Sequence, residues 1–260
     1  DEYLRVVFEE KRFGNAATRI LIEEFLEGEE VSFMVISDGK RAAPLAPAKD
    51  YKKAFDGDAG PNTGGMGAHS PAVVLNGETA GEVMKKIIIP TIQGMEAEGR
   101  TYTGVLYAGL ILTSSGPKVL EYNCRFGDPE TQVQMLRLED DLAEVLLKVA
   151  RGNLGDTKLN WKKEAAACVV MSVQGYPHEF PKGQEVIIDP IEDESVVVFH
   201  AGTAMDEDRL VASGGRVLAV TARGPSLGEA RDRAYAAVDA VEFEDGFHRR
   251  DIRWRQLERA

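Results

Sequence analysis

The run Val119-Leu120-Glu121-Tyr122-Asn123-Cys124-Arg125-Phe126-Gly127-Asp128-Pro129-Glu130-Thr131 opens as a β-strand. Val119, Leu120 and Tyr122 are apolar or β-preferring, and Gly116-Pro117 punctuates the chain just upstream. Alternate residues of a strand share a face, so Glu121 and Asn123 point one way while Leu120 and Tyr122 point the other. A carboxylate beside an amide oxygen is a hard-oxygen donor pair suited to Mg2+. Their backbones stand roughly 6.6 Å apart at ~3.3 Å per residue, whereas Mg–O distances are about 2.1 Å. The longer Glu side chain must therefore lean toward the Asn, or bridge two ions. Arg125, Asp128 and Glu130 follow at the strand's exit, and Pro129 biases Asp128 away from helix. Cys124 reads as a spacer. A Glu-x-Asn pair alone is more often a solvated strand end; five polar side chains leaving one strand end together are more specific.

Outward from this run, Gly104 to Leu112 reads as the strand's hairpin partner, with Thr113-Ser114-Ser115-Gly116 as the turn. Further upstream, an acidic cluster from Glu23 to Glu30 separates two expected strands, a largely buried one at Arg19 to Glu23 and another at Val31 to Ser37. On chemistry alone such a cluster is a solvated connection. Ala46 to Pro71 is the least regular region, centred on Gly60-Pro61-Asn62-Thr63-Gly64-Gly65-Met66-Gly67. Its glycines permit positive φ and close backbone approach, and successive N–H groups there can cradle an anion. The Lys-Ser/Thr ending of a Walker A loop is absent. A long irregular loop in a compact domain is usually functional or disordered, and Lys49, Lys52 and Lys53 beside it are candidate phosphate contacts.

Leu4 to Lys11 reads as the tail of a helix, with Gly14 in the turn after it. Glu78 to Glu98 is a second helix that Pro90 should kink or split. Helix is also expected over Leu136 to Ala150, and Arg151 to Asp156 marks a boundary. Beyond it the spacing predicts strands at Ala165 to Val173, Val186-Ile188, Val196-Phe199 and Val217 to Thr221, then a helix over Leu227 to Val241. The fold class is α+β, with residues 1–155 carrying the motifs and residues 156–260 forming a small α+β domain. His178, His200 and His248 show no metal-ligand spacing.

With 260 residues, 43% of them hydrophobic and 28% charged, the chain has the composition of a globular protein with room for a real core. Its formal charge of −12 argues against nonspecific nucleic acid or anionic membrane binding. The two cysteines suggest neither a disulfide framework nor a zinc site, and a reducing, cytoplasmic setting is expected. The first residue is Asp1, and the chain reads as starting in mid-domain.

The segment Glu121 to Gln132 resembles the metal-binding signature of the ATP-grasp ligases, in particular the phosphoribosylamine–glycine ligase family of purine biosynthesis. Asp56 to Ala68 resembles the same family's Gly-Pro-Asn-Thr-Gly-Gly-Met-Gly loop. Gly175-Tyr176-Pro177 and Phe247 to Ile252 resemble its C-terminal domain, although Arg253 stands where the family tends to have Gly. The resemblance covers essentially the whole chain. It implies the C-terminal half of an ATP-grasp domain, an antiparallel sheet with helices, followed by the small domain. It further implies ATP and Mg2+ (or Mn2+) as cofactors, glycine and 5-phosphoribosylamine as substrates, and a monomer with no nucleic-acid or membrane partner. Glu121 and Asn123 would hold the metal. Glu23, Leu26 and Glu30 would hold adenosine, with Glu29 the neighbouring choice for the ribose. Arg125 would meet the transferring phosphoryl group, and Asn62, Thr63, Gly64, Gly65 and Asp128 the substrate. Many relatives carry a further acidic ligand on the first strand of the hairpin, but Ala108 and its neighbours offer none. The family's amino-terminal domain and first ATP-grasp lobe are not in this sequence. Two other readings stay open: a noncatalytic nucleotide-binding fragment, and an ATP-grasp ligase for another carboxylate, which the glycine loop disfavours.

Overall fold

The computed structural model describes residues 2–252, so Asp1 and Arg253 lie outside the described residues. A short helix α1 (Glu2–Leu4) runs into a π-helical turn (Arg5–Glu9) and a 3-10 turn (Gly14–Thr18). Residues 19–23, expected as a buried strand, have no regular structure, and Leu21 and Ile22 are 81% and 83% exposed. Apolar, β-branched residues favour a strand only where a ladder partner takes up their N–H and C=O groups. Among the described residues none pairs with this segment.

Strands β1 (Glu29–Asp38) and β2 (Ala42–Pro44) come next. The supposedly irregular region then holds four short strands, β3 (Lys49–Asp50), β4 (Lys53–Phe55), β5 (Ala59–Asn62) and β6 (Gly67–Ser70). Helix α2 (Gly77–Val83) is capped by Asn76, whose side chain accepts from the Thr79 N–H at 2.8 Å. A π-helical turn (Met84–Ile88) leads straight into α3 (Ile89–Ala97), with Pro90 in its first turn. The widened turn before the proline absorbs its missing N–H, and the helical path continues through the point where a kink or split was expected. Strands β7 (Thr103–Thr113) and β8 (Gly116–Asn123) form the expected hairpin. The single helix expected over 136–150 is instead α4 (Glu130–Arg137) and α5 (Leu142–Ala150). Leu138 turns extended, and Asp141 starts the second helix by accepting from the Ala143 and Glu144 N–H groups at 2.8 and 3.4 Å.

The first sheet is antiparallel with order β2-β1-β7-β8. Strand alternation gives it two different faces. Val31, Phe33 and Val35 with Leu106, Ala108 and Leu110 bury against Val83, Ile88 and Ile92 of the helical layer. On the other face Met34, Ile36, Val105 and Tyr107 pack on Val145 and Val149 of α5. Glu30 and Ser32 continue that second face, so it turns polar at one end.

The remainder comprises β9 (Ala165–Val173), β10 (Ile187–Ile188), β11 (Val196–His200), β12 (Thr203–Asp206), β13 (Arg209–Ala212), β14 (Arg216–Gly224), α6 (Leu227–Val238), β15 (Val241–Glu242) and β16 (Gly246–Phe247). A second sheet has order β11-β14-β9-β6-β3, with β16 also on β9. Every residue of β9 is buried, because α6 covers one face of this sheet and α4 the other. Gly67–Ser70 pair with Ala166–Val169, so residues on both sides of the 155/156 boundary share one sheet.

Candidate active site

Register brings the polar end of the first sheet into a row. Ser32 lies opposite Gly109, and Gly109 opposite Glu121; Met34, Tyr107 and Asn123 align in the same way. Asn123 Nδ2 donates to Glu121 Oε1 at 3.2 Å, so the two side chains converge as the strand alternation requires. Gly109 matters here. A Cβ on it would stand 3.0 Å from Glu121 Cγ, so the bare backbone leaves the floor on which that carboxylate lies. Glu130, on the first turn of α4, reaches the same face and is 2% exposed. Its Oε1 accepts from the Ser32 hydroxyl at 2.8 Å and the Tyr107 hydroxyl at 2.9 Å. Burial, with Glu130 and Asp50 adding to it, pushes the Tyr107 phenol well above the usual range and keeps it a donor.

A cavity of about 270 Å3 adjoins this row, lined by Glu30, Asp50, Lys52, Lys53 and Asn62 among others. Burial first, and the Glu130 charge second, raise Asp50 to about 7. Burial alone would lower the Lys52 ammonium, but Asp50, Glu30 and Glu121 outweigh it and hold it above the usual lysine value. Lys52 Nζ pairs with Glu30 Oε2 at 3.1 Å. The neighbouring Glu29 is paired with the buried Lys49, which leaves Glu30 as the one of the two that faces the cavity.

Glu23 and Leu26 lie elsewhere, in a cleft of about 190 Å3 against Lys118, Val119 and Leu120 of β8. Lys118 Nζ pairs there with Glu24 Oε2 at 2.9 Å. Glu30 opens into the larger cavity rather than this cleft.

The glycine loop is tied down at several points. Thr63 Oγ1 donates to the Lys52 carbonyl at 2.8 Å and accepts from the Gly65 N–H at 3.0 Å. Gly64 N–H donates to the Tyr176 hydroxyl at 2.9 Å. Arg216 gathers the rest: Nη1 donates to the carbonyls of Gly64 (2.8 Å), Gly65 (3.3 Å) and Asp128 (2.9 Å), and Nη2 to Asp128 Oδ2 at 2.9 Å. Asp128 Oδ1 also accepts from Gln132 Nε2 at 3.0 Å, so both its oxygens are engaged. Arg125 is exposed and donates to the Phe126 carbonyl at 2.9 Å, outside the lining of the cavity. Arg216 and Asp50 were not found from the sequence. Arg216 meets Asp128 from 88 residues away, and no local pattern encodes such a contact. Asp50 sits next to a lysine already singled out, but its burial is a property of the fold.

A two-sided antiparallel sheet carrying a Glu-x-Asn pair at its polar end is the arrangement of an ATP-grasp lobe. The wider fold likeness supports this: the biotin carboxylase subunit of pyruvate carboxylase superposes with a TM-score of 0.60 at 18% identity, covering 95% of this chain and 53% of that one. Two family profiles match in sequence, the phosphoribosylglycinamide synthetase ATP-grasp (A) domain over residues 1–131 and the C domain over residues 166–255. The chain belongs to the phosphoribosylglycinamide synthetase family. It is 54% identical to the phosphoribosylamine–glycine ligase of Vigna unguiculata, with 90% of this chain and 78% of the relative covered. It is 51% identical to that of Rhizobium meliloti, over 95% of this chain and 58% of the relative. The crystal structure of the Thermotoga maritima phosphoribosylamine–glycine ligase superposes with a TM-score of 0.81 at 37% identity, covering 88% of this chain and 57% of that one. The chain thus spans a little over half the length of several relatives it matches.

Among the described residues no group of three or more His, Cys, Asp or Glu could hold a metal. One carboxylate and one amide oxygen on a shared face nonetheless fit Mg2+, which is commonly held by one or two carboxylates together with substrate phosphates.

Proposed function

We propose that this chain carries the nucleotide- and metal-binding side of an ATP-dependent ligase that joins glycine to 5-phosphoribosylamine through a glycyl phosphate, yielding glycinamide ribonucleotide, ADP and phosphate. The observation that carries the reading is the aligned row Ser32–Gly109–Glu121 with Asn123 beside it, whose Glu121 charge acts on Lys52 in the wall of a cavity that holds both carboxylates and lysines. Glu121 and Asn123 are the metal ligands; Mg2+ or Mn2+ supplies charge neutralisation on the phosphates. Glu23 and Leu26 meet the adenine edge in the cleft beside β8, and Glu30 accepts from the ribose hydroxyls. Lys52, already charged by its carboxylate neighbours, faces phosphate. Arg125 swings from its own backbone to the transferring phosphoryl group, while Asn62, Thr63, Gly64 and Gly65 present the substrate loop. Asp128, held by Arg216, takes the glycine ammonium at the edge of that loop. Phosphoryl transfer needs positioning and charge stabilisation more than covalent help from the protein. The protein works as a cytoplasmic monomer on small molecules. Residues 1–155 supply the contacts and residues 156–260 buttress them.

The test is phosphate release by the full-length protein with ATP, glycine and freshly made phosphoribosylamine. Glu121→Gln keeps the shape but removes the charge, and turnover should fall by roughly 10²–10³ with the fold unchanged. An unaltered Mg2+ dependence in that variant would falsify the assignment.

A further inference from the structure

The C-terminal tail closes on the cavity wall. The Arg249 side chain has no solvent exposure. Its Nε and Nη2 each donate to one oxygen of Asp251 at 2.7 Å, and its Nη1 donates to Asp58 Oδ1 at 2.9 Å and to the Lys53 carbonyl at 3.2 Å. The guanidinium lies over the Tyr51 ring, 5.2 Å from its centroid. Two further bonds stitch the same segments: Gly57 N–H to Asp251 Oδ2 and Arg250 N–H to Asp56 Oδ1, both 2.8 Å. The partners on the far side are the β4–β5 hairpin and its Asp56-Gly57-Asp58 turn. Tyr51, Lys53, Asp58 and Asn62 of that region line the 270 Å3 cavity.

Besides this clasp, the hairpin is held by the Thr63 bonds to the Lys52 carbonyl at its base and by the Phe55–Phe247 ring contact, with centroids 5.9 Å apart. Its ladder consists of Lys53 opposite Asn62 and Phe55 opposite Ala59, with an irregularity between them, and Phe55 is 49% exposed. A two-stranded hairpin of this size is marginal alone. A buried ion cluster is also a poor way to add stability compared with apolar packing, whereas a planar fork fixes direction as well as distance. The geometry is that of a locator.

We infer that Arg249 is a positioning residue of the site: it fixes the β4–β5 hairpin, and with it the placement of Lys53 and Asn62 in the cavity, without touching substrate. Arg216 holds the downstream end of the same segment at Gly64 and Gly65, so the two arginines act on separate stretches. The inference rests on the cavity being the substrate site proposed above, and its test has one arm that does not depend on that reading. In hydrogen exchange, Arg249→Met, Arg249→Lys and Asp56→Ala should speed the amides of residues 56–62 by about ten-fold or more, with β9 unchanged. In the full-length protein, Arg249→Met should raise KM for the amine substrate about ten-fold while kcat and KM for ATP stay within about three-fold, because Glu23, Leu26, Glu30 and Lys52, the residues given to ATP above, lie outside the clasped 53–62 segment. Val220→Ala, a core change on β14 matched in lost Tm, should leave KM alone. Uniform acceleration across both sheets, or an equal KM rise in Val220→Ala, overturns the inference. Should Arg249→Met fail to fold, Asp56→Ala decides, since it loosens the same clasp at its exposed edge, the Arg250 N–H bond, and leaves the buried guanidinium in place. A wild-type protein that consumes no amine would sink the functional reading, while the exchange arm still judges the clasp.

Discussion

A carboxylate set between a second carboxylate and a lysine is pulled both ways, and at Asp50 burial and Glu130 prevail over Lys52, raising it to about 7 against the usual 3.8. Glu30 pushes the same way. In the unfolded chain the group titrates near its usual value. Between roughly pH 4 and 7 the folded state therefore holds a proton that the unfolded state has released, and the resulting stability, full below the unfolded value, is lost as pH rises through the folded one. Asp50→Asn should flatten that decline in urea unfolding measured across pH 4–8, and should leave the variant at least about 1 kcal/mol better placed relative to wild type at pH 8 than at pH 4. Parallel pH profiles for the two proteins would mean that Asp50 is charged in the fold. Gly65 makes a steric demand instead. Its φ is +114° and a Cβ would lie 2.5 Å from Pro129 Cδ, a ring atom that cannot swing aside. Gly65→Ala should lower stability by about 1–3 kcal/mol, read as a shift in the urea midpoint, and a midpoint equal to wild type would show that the loop can re-route.

Among the elements, the Gly64-Gly65 turn is held by Arg216 and Tyr176, both from beyond residue 155, while Thr63 and Met66 on either side of it bond to the Lys52 and Tyr51 carbonyls. Arg216→Gln should free Asp128 and raise exchange at Thr63 to Met66, and bound nucleotide and product should restore protection in wild type. Equal protection with and without ligands would make the loop a structural turn. The same long-range dependence explains what could be read in advance. β1, β7, β9 and β14 carry alternating or continuously apolar residues that bury on stated faces, so their pattern is local and legible. Glu121 and Asn123 share a face by strand period alone, which is why that pair was legible too. The strands of the 46–71 region are two to four residues long, and their order comes from pairing with β9 or from Arg249 nearly 200 residues away. The Ile20-Leu21-Ile22 run misled for the converse reason: local propensity was present, but no partner strand accompanied it. At 138–141 the Asp140-Asp141 pair held a helix-start signal that the apolar spacing on either side concealed.

At the scale of the molecule, the second sheet is built from both halves of the chain, and the glycine loop bonds to residues of both. Ala48, Ala68, Val133 and Leu136 bury against Ala166, Cys168, Val170 and Ala219, and α4 carries Glu130 to one sheet while covering the other. Separating the halves would strip β6 of its ladder partner and expose that shared core together, so they should unfold as one unit. The cysteines offer a direct readout. Cys124 is exposed, whereas Cys168 lies opposite Ala68 at the seam, fully buried, its thiol pushed up to about 12 by burial above all. A thiol-specific reagent should label Cys124 at once and Cys168 only at the rate of global unfolding. Its labelling in urea should follow the same transition as far-UV circular dichroism, with one midpoint. A chain cut after residue 155 should accordingly show no cooperative transition and be rapidly proteolysed. Cys168 labelling well ahead of the circular dichroism transition, or a 1–155 fragment that melts cooperatively, would show that β6 and β9 part before the rest, and that the glycine loop can lose its buttress while the strand of Glu121 and Asn123 stays folded.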